Sequence, residues 1–235
     1  MLVFLCACTP ATQEATPALA SAASASAPRI ELDPPGYYMG RQIAPTMSHL
    51  GADWLVRKER EAEESTSRML AALQLKPGDV ACDLGAGNGY HTLSMARSVG
   101  PKGKVIAVDI QPEMLSLLRE RAKAAKVTNI ETILGASADP KLPAGTCDLV
   151  LLADVYHELD DPAAMLVHLK RALSKDGTVA LLEFRAEDPD VPIKPEHKMS
   201  RAQILRELGA NGLSLVRSFD ELPWQHLMFF APTKW

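Results

Sequence analysis

The chain has 235 residues, 47% hydrophobic and 23% charged, the balance of an ordinary globular protein rather than a disordered one. Its 25 Lys and Arg against 29 Asp and Glu leave a net charge of −4, without the basic footprint that nonspecific DNA or RNA binding needs. No uninterrupted apolar run approaches the roughly 20 residues that span a bilayer, so a protein acting on a small molecule is the starting expectation.

The first segment, Leu2 to Ala7, is apolar but short and lacks a basic flank. A tract of Ala, Ser, Thr and Pro follows from Thr9 to Pro28, too poor in bulky side chains to offset its ordering entropy, and reads as a disordered tether that with the leader-like start makes up residues 1–28. Leu5-Cys6-Ala7-Cys8 resembles a bacterial lipoprotein cleavage box. That resemblance implies lipidation of Cys8, a membrane tether and a place in the cell envelope or periplasm. The alternative is an accidental apolar start on a cytoplasmic protein.

Residues 29–76 hold no strand pattern. Pro45–Trp54 and a charged helix over Arg57–Leu75 are expected to cover the C-terminal edge of a sheet, with the Glu59–Glu64 charge run as the helix's solvated face. From Pro77 onward, short β-branched runs alternate with helical patterns. Strands are expected at Asp79–Leu84, Lys104–Asp109, Ile130–Leu134, Asp148–Ala153 and Thr178–Phe184. Helices are expected at Tyr90–Val99, at Pro112–Lys126 with proline in its first turn, and at Asp161–Leu173. This alternation implies a parallel sheet covered on both faces.

A helix from Ser200 to Leu208 precedes two runs, Leu213–Phe219 and His226–Ala231, with no helix between them, so these pair antiparallel. The expected architecture over 77–235 is a Rossmann-like α/β sheet of seven strands, five parallel plus a C-terminal antiparallel hairpin. Cys82 and Cys147 fall in adjacent strands, offset by three or four residues, about 10 Å along the strand direction. A disulfide between them would require backbone movement, so both read as small core residues.

The most informative stretch is Val80–Tyr90, VACDLGAGNGY. A strand ends at Asp83-Leu84 and turns through Gly85, Gly87 and Gly89 into a helix. Glycines there let the backbone approach a ligand closely, but related loops serve dinucleotides as well. Three features sharpen the reading. Asp83 suits a cationic amino-acid moiety and would repel a pyrophosphate. Tyr90 stands where a dinucleotide fingerprint places its third glycine. Asp109, 24 residues after Gly85, ends the next strand, where a carboxylate can accept from both ribose hydroxyls.

From about Leu75 to the C-terminus these features resemble the class I S-adenosylmethionine-dependent methyltransferases. More narrowly, segments such as ADVYHELDDP and EFRAEDPDVPIKPEHKMS resemble small bacterial enzymes near the quinone-biosynthesis C-methyltransferases. The resemblance implies S-adenosyl-L-methionine as cofactor, with Asp83, Gly85, Ala86, Gly87 and Gly89 forming its loop, Asp109 holding the ribose and Ile110 lying beside the adenine. Relatives usually place an acid where this chain has Ala136, so Ser137 or Asp139 is expected to substitute. Asp154, after the fourth strand, completes the expected cofactor set.

Ligands of open α/β sheets lie beyond the carboxyl ends of the strands. The expected catalytic side chains there are His157, Tyr38, Arg185 and His197, with His157 the first choice of base because its pKa is readily tuned near neutrality. No His-x3-His or Cys-x2-Cys spacing appears, so no metal is assigned, although His157, Glu158, His197 and His226 are able to converge. The function expected is methyl transfer to a small acceptor. A nicotinamide-dependent oxidoreductase and a non-catalytic envelope binding protein are the alternatives. The sequence specifies neither acceptor nor oligomeric state.

Overall fold

The computed structural model describes residues 1–2 and 33–233; the leader-like segment beyond Leu2, Cys8 and the Ala/Ser/Pro tether lie outside them. In chain order, a two-residue ladder forms first, β1 (Tyr37–Tyr38) antiparallel to β2 (Arg41–Gln42). This pair corrects the expectation of no strand before the sheet. A 3-10 segment, His49–Val56, follows. The expected single charged helix is two, α1 (Arg60–Glu64) and α2 (Thr66–Leu73), because Ser65 adopts a left-handed conformation, φ 50°, that ends one helix and starts the next.

The remaining elements are β3 (Val80–Leu84), α3 (Tyr90–Val99), β4 (Lys104–Asp109), α4 (Pro112–Ala124), β5 (Ile130–Leu134), β6 (Cys147–Ala153), α5 (Pro162–Ala172), β7 (Leu173–Phe184), α6 (Arg201–Ala210), β8 (Leu213–Phe219) and β9 (Gln225–Pro232). The seven-stranded sheet runs β5-β4-β3-β6-β7-β9-β8. β3 through β7 are parallel, and β9 inserts antiparallel between β7 and β8. Local chemistry supports the helix starts. Asp161 and Ser200 cap α5 and α6, accepting from Ala164 N at 2.9 Å and Gln203 N at 3.1 Å.

One face of the sheet packs Ala81, Val105, Leu149 and Leu151 against Met69 and Leu73 of α2 and Met95 and Val99 of α3. The other packs Cys82, Val150, Leu152 and Leu181 against Met165 and Leu169 of α5 and Ile204 and Leu208 of α6. Both faces are therefore covered, and the central strands are apolar along almost their whole length.

Cys82 and Cys147 form a disulfide with Cα atoms 5.8 Å apart, contrary to the expectation that backbone movement would be needed. The register does place Cys82 opposite Val150. The ladder, however, is irregular between Cys147 and Leu149, and the side-chain alternation breaks there. Leu149 packs on the face of Ala81, whereas Cys147 joins Cys82 on the opposite face. An argument from a straight strand misses this switch.

Candidate functional site

A cavity opens at the C-terminal ends of β3, β4 and β6, where the strand order reverses. Its first wall is the β3–α3 turn. Gly85 has φ +68°, and a Cβ there would stand 2.4 Å from a Val155 methyl, so only glycine fits. Gly85 and Gly87 line the cavity. Ala86 is buried beneath them, its N–H bonded to Val108 O at 3.0 Å. Gly89 lies below the wall, where it starts α3 and lets it approach Leu118 of α4. Asp83 sits behind the turn, 2% exposed, and accepts from Thr92 Oγ1 at 2.5 Å. Burial pushes its carboxyl up to about 7, although the Thr92 hydrogen bond favours the charged form.

Asp109 forms the second wall. Its Oδ2 accepts from Gly87 N at 2.8 Å and its Oδ1 from Gln111 N at 2.9 Å, and burial raises its pKa. Ile110 beside it is 44% exposed, an apolar platform facing the cavity. Gln111 fastens the N-terminal cover, donating from Nε2 to Met47 O at 2.9 Å and accepting at Oε1 from His49 N at 2.8 Å. Asn88 adds a second fastening, donating to Ala52 O at 2.8 Å. Cover residues Met47, Trp54 and Leu55 thereby complete the apolar side of the cavity.

Asp154 forms the third wall at the end of β6, in a left-handed conformation. Gln225 of β9 donates to it at 2.8 Å. Behind it lies an ion network that the sequence reading placed in solvent. Arg60 and Glu64 are both buried, Arg60 Nε donating to Glu64 Oε2 at 2.9 Å, with Arg57 on the other Glu64 oxygen at 2.5 Å. Of the charge run only Arg60 and Glu64 are thus buried, while Glu59 and Glu61 stay exposed as expected, and Arg60 reaches the cavity wall. Burial, then the nearby Glu64 and Glu183 carboxylates, raises the Asp154 pKa well above its ordinary value.

The turn after β6 carries a separate cluster. His157 Nδ1 meets Glu183 Oε2 of β7 at 2.5 Å, and the second Glu183 oxygen accepts from Tyr156 N at 2.9 Å. His157 Nε2 faces His197 Nδ1 at 3.1 Å, and Glu158 Oε1 stands 3.8 Å from each nitrogen. Burial opposes protonation of His157, but the Glu183 carboxylate outweighs it and raises the pKa. Glu158 lines the cavity, and burial pushes its carboxyl up to about 7.

Of the expected cofactor residues, the structure brings Gly85, Gly87, Asp109, Ile110, Ser137 and Asp154 to one cavity. Asp139 is not in the wall; its carboxylate turns back to accept from Lys141 N at 2.8 Å. Of the expected catalytic residues, His157 and His197 meet each other beside Glu158. Tyr38 and Arg185 are held elsewhere. The Tyr38 hydroxyl accepts from Asn211 at 2.6 Å, and Arg185 donates to the Leu222 and Pro223 carbonyls, placements fixed by the α6 end and the β8–β9 turn. His226 pairs with Glu187 at 2.9 Å and does not join the cluster. Sequence reasoning missed Arg60 and Gln111. Arg60 resembled any solvated charge, and nothing local marks Gln111 as a clamp.

A family model described as a methyltransferase domain matches residues 75–216, more than half of the chain. Demethylmenaquinone methyltransferase of Staphylococcus carnosus is 27% identical over 126 residues, 54% of this chain and 51% of that protein. Protein-L-isoaspartate O-methyltransferase of Ignicoccus hospitalis is 32% identical over 109 residues, 46% of this chain and 51% of that protein. The chain spans about half the length of these curated relatives. The crystal structure of a SAM-dependent methyltransferase from Aquifex aeolicus superposes with a TM-score of 0.74 at 25% identity, covering 79% of this chain and 98% of that one. With the sheet order and the acid-plus-glycine turn, these matches make the chain a member of the class I S-adenosylmethionine-dependent methyltransferases.

Proposed function

We propose that the protein transfers a methyl group from S-adenosylmethionine to a small, partly apolar acceptor. The observation that carries this reading is the single cavity in which the Gly85–Gly87 turn, Asp109, Ile110 and Ser137 meet an apolar cover. The donor, when bound, supplies an electrophilic methyl group on a sulfonium. The residues fit it. Asp109 presents a buried carboxylate for the ribose hydroxyls, Ile110 an apolar face for the adenine, and Ser137 a hydroxyl for its edge. The Gly85 turn leaves room for the amino-acid moiety, with the Asp83 and Asp154 carboxylates nearby to balance positive charge.

An in-line displacement is accelerated mainly by alignment and exclusion of water. Met47, Trp54 and Leu55 from the cover, with Val155, Leu159 and Met165 from the β6 side, supply an apolar wall for both. That wall favours an acceptor with apolar surface. The side-chain bonds of Gln111 and Asn88 to the Met47, His49 and Ala52 main chain hold the cover in place. Calorimetry with S-adenosylhomocysteine tests the donor site; no binding at millimolar ligand would overturn the reading. Incubation with methyl-labelled donor and a small-molecule extract tests the acceptor class. Label appearing in an organic-soluble product is expected, and label appearing only in protein or nucleic acid refutes it.

We further infer that the protein works in an oxidising compartment, in keeping with a tether through Cys8. The Cys82–Cys147 disulfide supports this, because such bonds persist in the envelope and are rare in the reducing cytosol. Acid-trapping of cells followed by alkylation under denaturing conditions should leave both thiols unlabelled. Palmitate labelling and fractionation test the tether; an unlabelled protein in the cytosolic fraction rejects it.

A further inference from the structure

We propose that His157, His197 and Glu158 form a binding site for one divalent transition-metal ion of the zinc class, at the edge of the acceptor cavity. The three inward atoms are His157 Nε2, His197 Nδ1 and Glu158 Oε1, with edges of 3.1, 3.8 and 3.8 Å. The point equidistant from a triangle with these edges lies about 2.1 Å from each atom, the bond length of zinc to imidazole nitrogen and carboxylate oxygen. These are the donor atoms of one metal-sized hole, assembled from two loops 40 residues apart.

The surroundings are those of a built site. Glu183 is fully buried, and its carboxylate is already bonded to Tyr156 N and His157 Nδ1. A carboxylate on Nδ1 fixes the ring tautomer and turns the Nε2 lone pair inward, the usual support of a metal-bound histidine. The turn itself is pinned from outside. The His157 carbonyl accepts from Ala44 N and Arg41 Nη1, both at 3.0 Å, and Glu158 Oε2 accepts from Met47 N at 3.2 Å, leaving Oε1 for the ion. Arg41 is fixed in turn by Glu207 of α6 at 2.9 Å. Among the described residues no cysteine competes, since Cys82 and Cys147 are bonded to each other.

Two imidazoles and one carboxylate leave coordination positions open, as in zinc sites that bind water or substrate. Glu158 also lines the cavity, so the ion stands beside a bound acceptor and selects one that offers an oxygen ligand. The inference does not rest on methyl transfer, because metal binding is measured with no donor or acceptor present.

The full-length protein, dialysed against a chelator and then titrated with Zn²⁺, should bind one equivalent with micromolar or tighter affinity. Co²⁺ should give the intense visible absorption of a low-coordinate nitrogen–oxygen site. His197→Ala, in a half-exposed loop, should weaken Zn²⁺ binding at least 100-fold while the far-UV spectrum and the metal-free unfolding temperature stay as in the parent chain. Glu183→Gln should weaken it roughly 10–100-fold. If His197→Ala fails to fold, His197→Gln takes its place. Substoichiometric Zn²⁺ binding by the parent chain, or unchanged affinity in the His197 variant, overturns the proposal.

Discussion

Gln111 joins the end of β4 to the N-terminal cover through the main chain of Met47, donating at 2.9 Å, while its Oε1 accepts from His49 N at 2.8 Å. The residue two positions after the ribose acid therefore holds the lid over the same cavity. Gln111→Ala removes both bonds, each worth about 1 kcal/mol, so S-adenosylhomocysteine affinity should fall roughly 10–30-fold. Calorimetry at fixed pH reads this directly.

Asp83 should make donor binding pH-dependent. Its pKa in the folded protein is about 7, raised by burial. A raised carboxyl keeps its proton in the folded state longer than in the unfolded one, so rising pH removes stability until about 7 is passed. A cationic amino-acid moiety requires the ionised form, so S-adenosylhomocysteine affinity should climb by up to about tenfold per pH unit below 7 and level off above it. Asp83→Asn should remove the step near pH 7 and leave only what Asp109 and Asp154, whose pKa values burial also raises, contribute; an unchanged profile would exclude Asp83.

The Arg60–Glu64 pair sits in the interior with Arg57 on the second oxygen of Glu64. Glu64→Gln leaves the buried Arg60 guanidinium with only Asp154, 4.0 Å away, opposite it, and breaking a buried pair costs about 3–5 kcal/mol. Denaturant titration should show that loss. A change below about 1 kcal/mol would mean that solvent reaches the network.

Gly85 tolerates no side chain. Gly85→Ala places a Cβ 2.4 Å from Val155 on a backbone with φ +68°, so it should destabilise the protein by about 1–3 kcal/mol and abolish S-adenosylhomocysteine binding. Adding Val155→Ala relieves the contact but not the dihedral strain, so stability should return in part. Full recovery would show that the contact alone matters.

The disulfide closes a loop between positions 65 residues apart. Replacing both cysteines by alanine frees that loop in the unfolded chain and should cost about 2–4 kcal/mol in denaturant titrations without reductant. The double variant should still fold, because both positions lie in an otherwise apolar core.

The sheet was legible because the central parallel strands are buried apolar runs between turn residues, β5 at the edge keeps a β-branched pattern, and the glycine turn carries its chemistry in consecutive positions. Asp109 was found because the end of a strand fixes where its side chain stands. The Cys82–Cys147 bond was not legible, since it depends on an alternation break at Cys147 that no local pattern announces. The Arg60–Glu64 pair was misplaced for a related reason. A charged helix one and a half turns long looks solvated until its neighbours are known, and here Asp154 and Gln225 arrive from far along the chain. The histidine cluster was legible in part: His157, Glu158 and His197, expected as able to converge, do meet, whereas His226, expected with them, pairs with Glu187.

β9 threads between two strands made before it, and from its first residue Gln225 reaches the carboxylate at the end of β6. On a ribosome the donor turn, the ribose acid and the cover all emerge while that carboxylate still lacks its amide partner. The pocket's electrostatics are thus completed by a segment translated after all its other walls. A nascent chain stalled before position 225 would carry every glycine of the turn and yet present an unfinished nucleoside cradle.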